Sequence, residues 1–179
     1  MRIDRLWLSC FRNLVDFEID FDQNSSRQVV VGRNGVGKSN LLEAIARIFR
    51  DLDLAEPTDF AYEIEYLCRG KAVRIKNMAE PSRPAHSTKA KRFTRTYEVA
   101  PDTAADLSQE RAYAELSEAE FNKRNQSVDS GSGPARLLPN YVFGYYSGHL
   151  ARFQKIFEKH ESRYYSSQIK GTETRMALT

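Results

Sequence analysis

The sequence predicts an α/β fold: a mixed sheet, a helix entered directly from a glycine-rich loop, and an antiparallel β-subdomain beside them. Three observations predict it. Val29-Val30-Val31 is an unbroken β-branched run that ends on Gly32-Arg33-Asn34-Gly35-Val36-Gly37-Lys38-Ser39. Leu41, Leu42, Ile45, Ile48 and Phe49 then recur at helical spacing. Further on, Tyr62 to Cys68 and Lys71 to Lys76 alternate apolar with polar residues on either side of Arg69-Gly70.

The first fifty residues divide by period. Leu6, Leu8 and Cys10 alternate with their neighbours, and Val15, Phe17, Ile19 and Phe21 alternate with Asp16, Glu18, Asp20 and Asp22. Period two predicts a pair of half-buried strands, turning at Arg12-Asn13. The valine run has no alternation, which predicts a strand buried on both faces. The helix that follows presents one apolar face.

Between them lies G-x-x-x-x-G-K-S, the spacing of a phosphate-binding loop. Gly32, Gly35 and Gly37 let successive backbone N–H groups turn inward around an anion. A helix beginning near Lys38 adds its own unbonded N–H groups and the positive end of its dipole. The Lys38 ammonium reaches β- and γ-phosphates, and the Ser39 hydroxyl ligates Mg²⁺. The expected ligand is therefore ATP with Mg²⁺, and the fold class a P-loop NTPase. Arg33, Asn34, Gly35, Val36, Gly37, Lys38, Ser39 and Asn40 are the expected nucleotide contacts, with Ser39 as metal ligand and no residue assigned as catalytic.

The stretch from Gly32 to Ile45, with Asn34-Gly35 inside the loop and Asn40-Leu41-Leu42-Glu43-Ala44-Ile45 after it, resembles the P-loop of RecF/SMC-type ATPases. These are relatives of ABC transporter heads, and bacterial defence ATPases share the pattern. Ile3 to Leu14 is similar to that family's opening strand with its Phe-Arg-Asn turn, here Phe11-Arg12-Asn13. The resemblance implies that Arg12 and Asn13 lie near the nucleotide. It also implies a partial ABC-type head, a homodimer in which two heads sandwich ATP, and a role in DNA repair or maintenance or in anti-phage defence. A weaker likeness spans Leu138 to Gly148, where Tyr146 and Ser147 stand in place of the family's glutamine. A Walker B strand, a signature loop and a switch histidine are not visible after residue 50. The expectation is an N-terminal lobe that binds nucleotide weakly and does not hydrolyse it alone.

Beyond the loop, a two-residue turn at Arg69-Gly70 sets Glu65 opposite Arg74, Glu63 opposite Lys76, Tyr66 opposite Val73 and Ile64 opposite Ile75. Arginine tolerates positive φ poorly, so a slightly longer turn is the alternative. Phe93 to Val99 adds a third strand. Pro81 to Arg92 is basic and lacks acids; it either grips nucleic-acid phosphates or is a solvated loop facing the acidic stretch Glu98 to Glu120. Residues 103–124 read as helical, with a capping-box match at Ser117-Glu118-Ala119-Glu120. Residues 126–134 read as a flexible linker, Leu137 to Tyr146 as a strand, and Leu150, Phe153, Ile156 and Phe157 as an amphipathic helix. The expected division is 1–55 for the P-loop core, 60–100 for the β-subdomain, 101–136 for the helical segment and linker, and 137–179 for a strand and helix.

Composition narrows the class. The 179 residues are 28% charged and 41% hydrophobic with net charge +3, ordinary for a soluble domain and too weakly basic to argue nucleic-acid binding alone. No apolar run matches a membrane span or a signal peptide, so a cytoplasmic protein without membrane contact is expected. Cys10 and Cys68 read as buried small hydrophobes without a disulfide, and His86, His149 and His160 make no metal pattern. Two other classes stay open: a nucleic-acid-binding module with a regulatory nucleotide site, contacting DNA, and the ATPase part of a nuclease or effector assembly.

Overall fold

Alternation along the first strands decides which face of the sheet is covered. Leu6 and Leu8 are fully buried, while Arg5 and Trp7, which alternate with them, point to the other side. The computed structural model describes residues 1–25, 27–80, 92–101, 111–126, 135–140, 142, 155–160 and 162. The chain divides into two units, residues 1–142 and 143–179.

In the first unit the elements run β1 (Arg2–Phe11), β2 (Leu14–Asp20), α1 (Lys38–Leu54), β3 (Tyr62–Cys68), β4 (Lys71–Ala79), β5 (Phe93–Pro101), β6 (Ala114–Leu116) and α2 (Glu118–Gln126). The six strands form one sheet in the order β2-β1-β3-β4-β5-β6, with every pairing antiparallel. In the second unit, residues 155–160 are helical. Among the described residues no helix is long and apolar enough to cross a membrane.

The hairpin of β3 and β4 has the expected register: Glu65 faces Arg74, Glu63 faces Lys76, Tyr66 faces Val73 and Ile64 faces Ile75. Its turn is the two-residue one. Arg69 (φ 51°) and Gly70 (φ 70°) are both left-handed, the twist that suits right-handed strands. The pairing of β1 with β3 joins the expected P-loop core and β-subdomain into a single sheet.

One sheet face carries the core. Leu6, Leu8, Tyr62, Ile64, Tyr66, Val73, Ile75 and Tyr97 are buried there with Leu41, Ala44, Ile48, Phe49 and Leu52 of α1. Phe49 meets the Tyr66 ring edge-on at 5.3 Å, which ties α1 to β3. Asn77 is buried with them. Its amide donates to the Phe60 carbonyl at 2.7 Å and so satisfies the loop that leads into β3.

The other face is a ladder of paired charge. Arg74 donates to Glu65 at 2.8 Å and to Glu98 at 3.2 Å, and its guanidinium lies 4.0 Å from the centre of the Tyr113 ring. Arg5 pairs with Glu18, and the Trp7 indole donates to Asp16 at 2.9 Å. Where β1 bulges against β3, between Ile3 and Arg5, the buried Asp4 carboxylate takes Arg2 at 2.6 Å and Arg111 at 3.0 Å, pinning the segment before β6 to β1.

Several expectations are corrected. The Val29–Val31 run is not a strand: Val29 and Val31 are each 83% exposed, and no strand among the described residues lies beside them to accept their backbone bonds. The sheet is consequently antiparallel where a mixed sheet was expected. Ala114–Leu116, expected to be helical, pairs with β5, because an open sheet edge offers backbone partners that the helix propensity of three residues does not outweigh. The capping residue was read correctly, since Ser117 Oγ accepts the Glu120 N–H at 3.2 Å and α2 starts there. Residues 137–140 are turn-like where a strand was expected. The Leu137 and Leu138 N–H groups both donate to Asn125 Oδ1, and both side chains are buried. Cys10 is exposed, unlike the buried Cys68, although it shares the period of Leu6 and Leu8: the alternation breaks at the end of β1, where Phe11 is buried instead. Leu42 is 52% exposed, so the expected apolar face of α1 is split.

The basic segment 81–91, residues 102–110, the linker 127–134, His86, His149, Leu150, Phe153, and Tyr146-Ser147 with the rest of their expected strand lie outside the described residues.

Candidate functional site

Three segments converge at one end of β1. They are the β1–β2 turn, the loop from Gly32 to Gly37, and the first turns of α1. The turn comes from a hairpin whose register pairs Phe11 with Leu14, leaving only Arg12 and Asn13 outside the ladder. Arg12 takes a left-handed φ of 55° to close it.

Gly37 precedes α1 with φ 109°, and its carbonyl accepts the first helical bond from Leu41 at 2.8 Å. A β-carbon there would stand 2.7 Å from Leu14 Cδ2 and 3.0 Å from Asn13 Oδ1. Two constraints therefore select glycine, a left-handed backbone and the close approach of the β1–β2 turn. Gly35 has φ 89° and open space where a side chain would stand. Residues 31–36 are exposed, and residues 37–40 are half-buried.

Asn13 is the link between turn and loop. Its amide donates to the Gly35 carbonyl at 3.2 Å, and its Oδ1 accepts from Asn40 Nδ2 at 2.7 Å. Arg12 turns to α1 and meets the buried Glu43 carboxylate at 2.6 Å. Lys38 Nζ folds back over the loop and donates to the Gly32 carbonyl and, at 2.8 Å, to that of Arg33. Ser39 is the second residue of α1.

The structure thus joins Asn13, Gly35, Gly37 and Asn40 by direct contact, while Arg12 beside them bonds Glu43 and Lys38 bonds the Gly32 and Arg33 carbonyls. Arg33, Asn34 and Val36 lie on the exposed rim of the loop. Sequence reasoning missed Glu43 and Leu14. Glu43 carried a signal, an acidic residue one turn after Ser39 on a helix side otherwise buried among Leu41 and Ala44. Leu14 carried none, since its contact with Gly37 exists only after the chain has turned back.

The donor set suits a polyphosphate. Gly35 and Gly37 have left-handed φ, a helix begins at the loop's end, and among the described residues the Lys38 ammonium is held at its rim by loop carbonyls. Ser39, in the first turn of α1, carries the hydroxyl that a Mg²⁺ bound with phosphate would use. A family model for an AAA ATPase domain, AAA_15, matches residues 1–128. The chain belongs to this AAA ATPase domain family. The matched range takes in the whole sheet, α1 and α2.

Over 45 residues the AAA ATPase domain is also 47% identical to the DNA replication and repair protein RecF of Lactobacillus acidophilus. That match covers 25% of this chain and 12% of the relative. Together the two findings support the N-terminal portion of a RecF/SMC-type P-loop ATPase. Within the domain, the β1–β2 turn touches the glycine-rich loop at Gly35 and Gly37.

Proposed function

We propose that this domain binds ATP with Mg²⁺ at the loop 32–40, as the Walker A lobe of an ABC-type head that acts in DNA repair or maintenance. The observation that carries the reading is Lys38. Its ammonium rests on two loop carbonyls, at the rim of a backbone cradle in which Gly35 and Gly37 have left-handed φ. Triphosphate oxygens replace those carbonyls and gain a full charge interaction. Loop amides and the α1 N-terminus bind the same phosphates, while the Ser39 hydroxyl holds Mg²⁺ against them. Arg12, Asn13, Arg33, Asn34, Val36 and Asn40 border the nucleotide.

In the whole protein, two such heads close on ATP as a homodimer. The similarity to RecF favours DNA as the partner over a defence effector. Titration of labelled ATP, with and without Mg²⁺, tests the reading. Saturable binding that needs Mg²⁺ for full strength and disappears in Lys38→Ala supports it; no binding by the unaltered protein overturns it.

A further inference from the structure

We propose that Glu43 is a positioning residue of the nucleotide site, fixing Arg12 and through it the turn that shapes the phosphate loop. The inference rests on the ATP reading above and concerns a residue outside the loop, in α1.

Glu43 lies in α1 three residues after Asn40 and four after Ser39, so these positions share a side of the helix. It is 3% exposed, among Leu41, Ala44 and their apolar neighbours. An ionised carboxylate in that setting is retained only with a charged partner, and Arg12 supplies it at 2.6 Å. A buried ion pair is often no more stabilising than apolar residues of the same volume, so packing alone does not call for one here. The pair does fix a direction. It holds the guanidinium on α1 while Arg12 keeps its left-handed backbone.

The next residue, Asn13, then has one place to go. Its amide reaches the Gly35 carbonyl, its oxygen receives Asn40, and the following Leu14 closes on Gly37. Both left-handed glycines of the cradle are therefore touched by the turn that Glu43 anchors. Releasing Arg12 frees the turn and lets the loop amides lose their common aim at an anion.

The test is a double-mutant cycle on the intact protein, read by mant-ATP affinity with Mg²⁺ and by thermal melting. Glu43→Gln keeps the shape and removes the charge; it is expected to weaken ATP about five- to tenfold. Arg12→Gln is expected to weaken it at least as much, and the double variant no more than Arg12→Gln alone. Unchanged affinity in Glu43→Gln, or effects that add in full, overturns the proposal. Should Glu43→Gln not fold, the half-exposed Arg12 carries the test through amide resonances without nucleotide. Shifted Gly35 and Gly37 signals in Arg12→Gln support the proposal, and unmoved ones overturn it. Failure of the unaltered protein to bind ATP is a separate result that removes the ATP reading itself.

Discussion

Gly37 and Leu14 meet across the site at a distance that no β-carbon tolerates: one built on Gly37 falls 2.7 Å from Leu14 Cδ2. The contact joins the last loop residue before α1 to the first residue of β2. The shape of the cradle is thereby coupled to the sheet rather than left to the loop's own preferences.

Gly37→Ala is expected to strain both the backbone, at φ 109°, and this contact. The cost should exceed about 1 kcal/mol, since a β-carbon is disfavoured at positive φ and Leu14 must also move. Chemical denaturation should show the loss, and ATP titration should show binding weakened more than tenfold.

Lys38→Ala separates binding from folding. Among the described residues the side chain bonds loop carbonyls alone, so stability should stay within about 0.5 kcal/mol of the unaltered protein. Triphosphate affinity should fall by at least tenfold, because charge-assisted bonds to the phosphates are lost. A melting curve that drops with the affinity would argue that the ammonium is structural.

Arg74→Met addresses the charged face. Arg74 bonds Glu65 and Glu98 and stacks on Tyr113, all partly screened by water. A loss of about 1 kcal/mol is expected from the contacts together. The deficit should narrow in high salt as the ion pairs of the unaltered protein are screened. A deficit independent of salt would assign it to the ring contact.

Asp51 gives a pH dependence. Burial pushes its carboxyl pKa up, against the opposing pull of the Thr58 hydrogen bond and of Arg50, Arg47 and Arg95. With the folded value above the unfolded one, the ionised form costs stability at neutral pH. That cost is relieved as pH falls through the folded value towards the unfolded one near 4. Asp51→Asn should therefore melt higher than the unaltered protein at pH 7, with the gain vanishing near pH 4. A gain that persists at pH 4 would exclude the carboxyl as its source.

Strand alternation and hairpin register were legible because they are local. Period two in β1 to β4 states which side is buried, and the two-residue turn at Arg69-Gly70 leaves only one register. The phosphate loop was legible because its chemistry needs particular residue types at fixed spacing. The state of Val29–Val31 was not: a β-branched run becomes a strand only when another strand accepts its backbone bonds, and propensity cannot supply that neighbour. Ala114–Leu116 shows the converse, helix formers drawn into a strand by the open edge of β5.

The sequence by itself determined the glycine-rich loop, the antiparallel hairpins and the start of α1, since each depends on residues close together in the chain. Only the tertiary structure decided that Arg12 belongs to Glu43, that Asn13 bridges Gly35 and Asn40, and that Leu14 bears on Gly37. Those pairs are separated by more than twenty residues, and their distances are set by how α1 packs on the sheet.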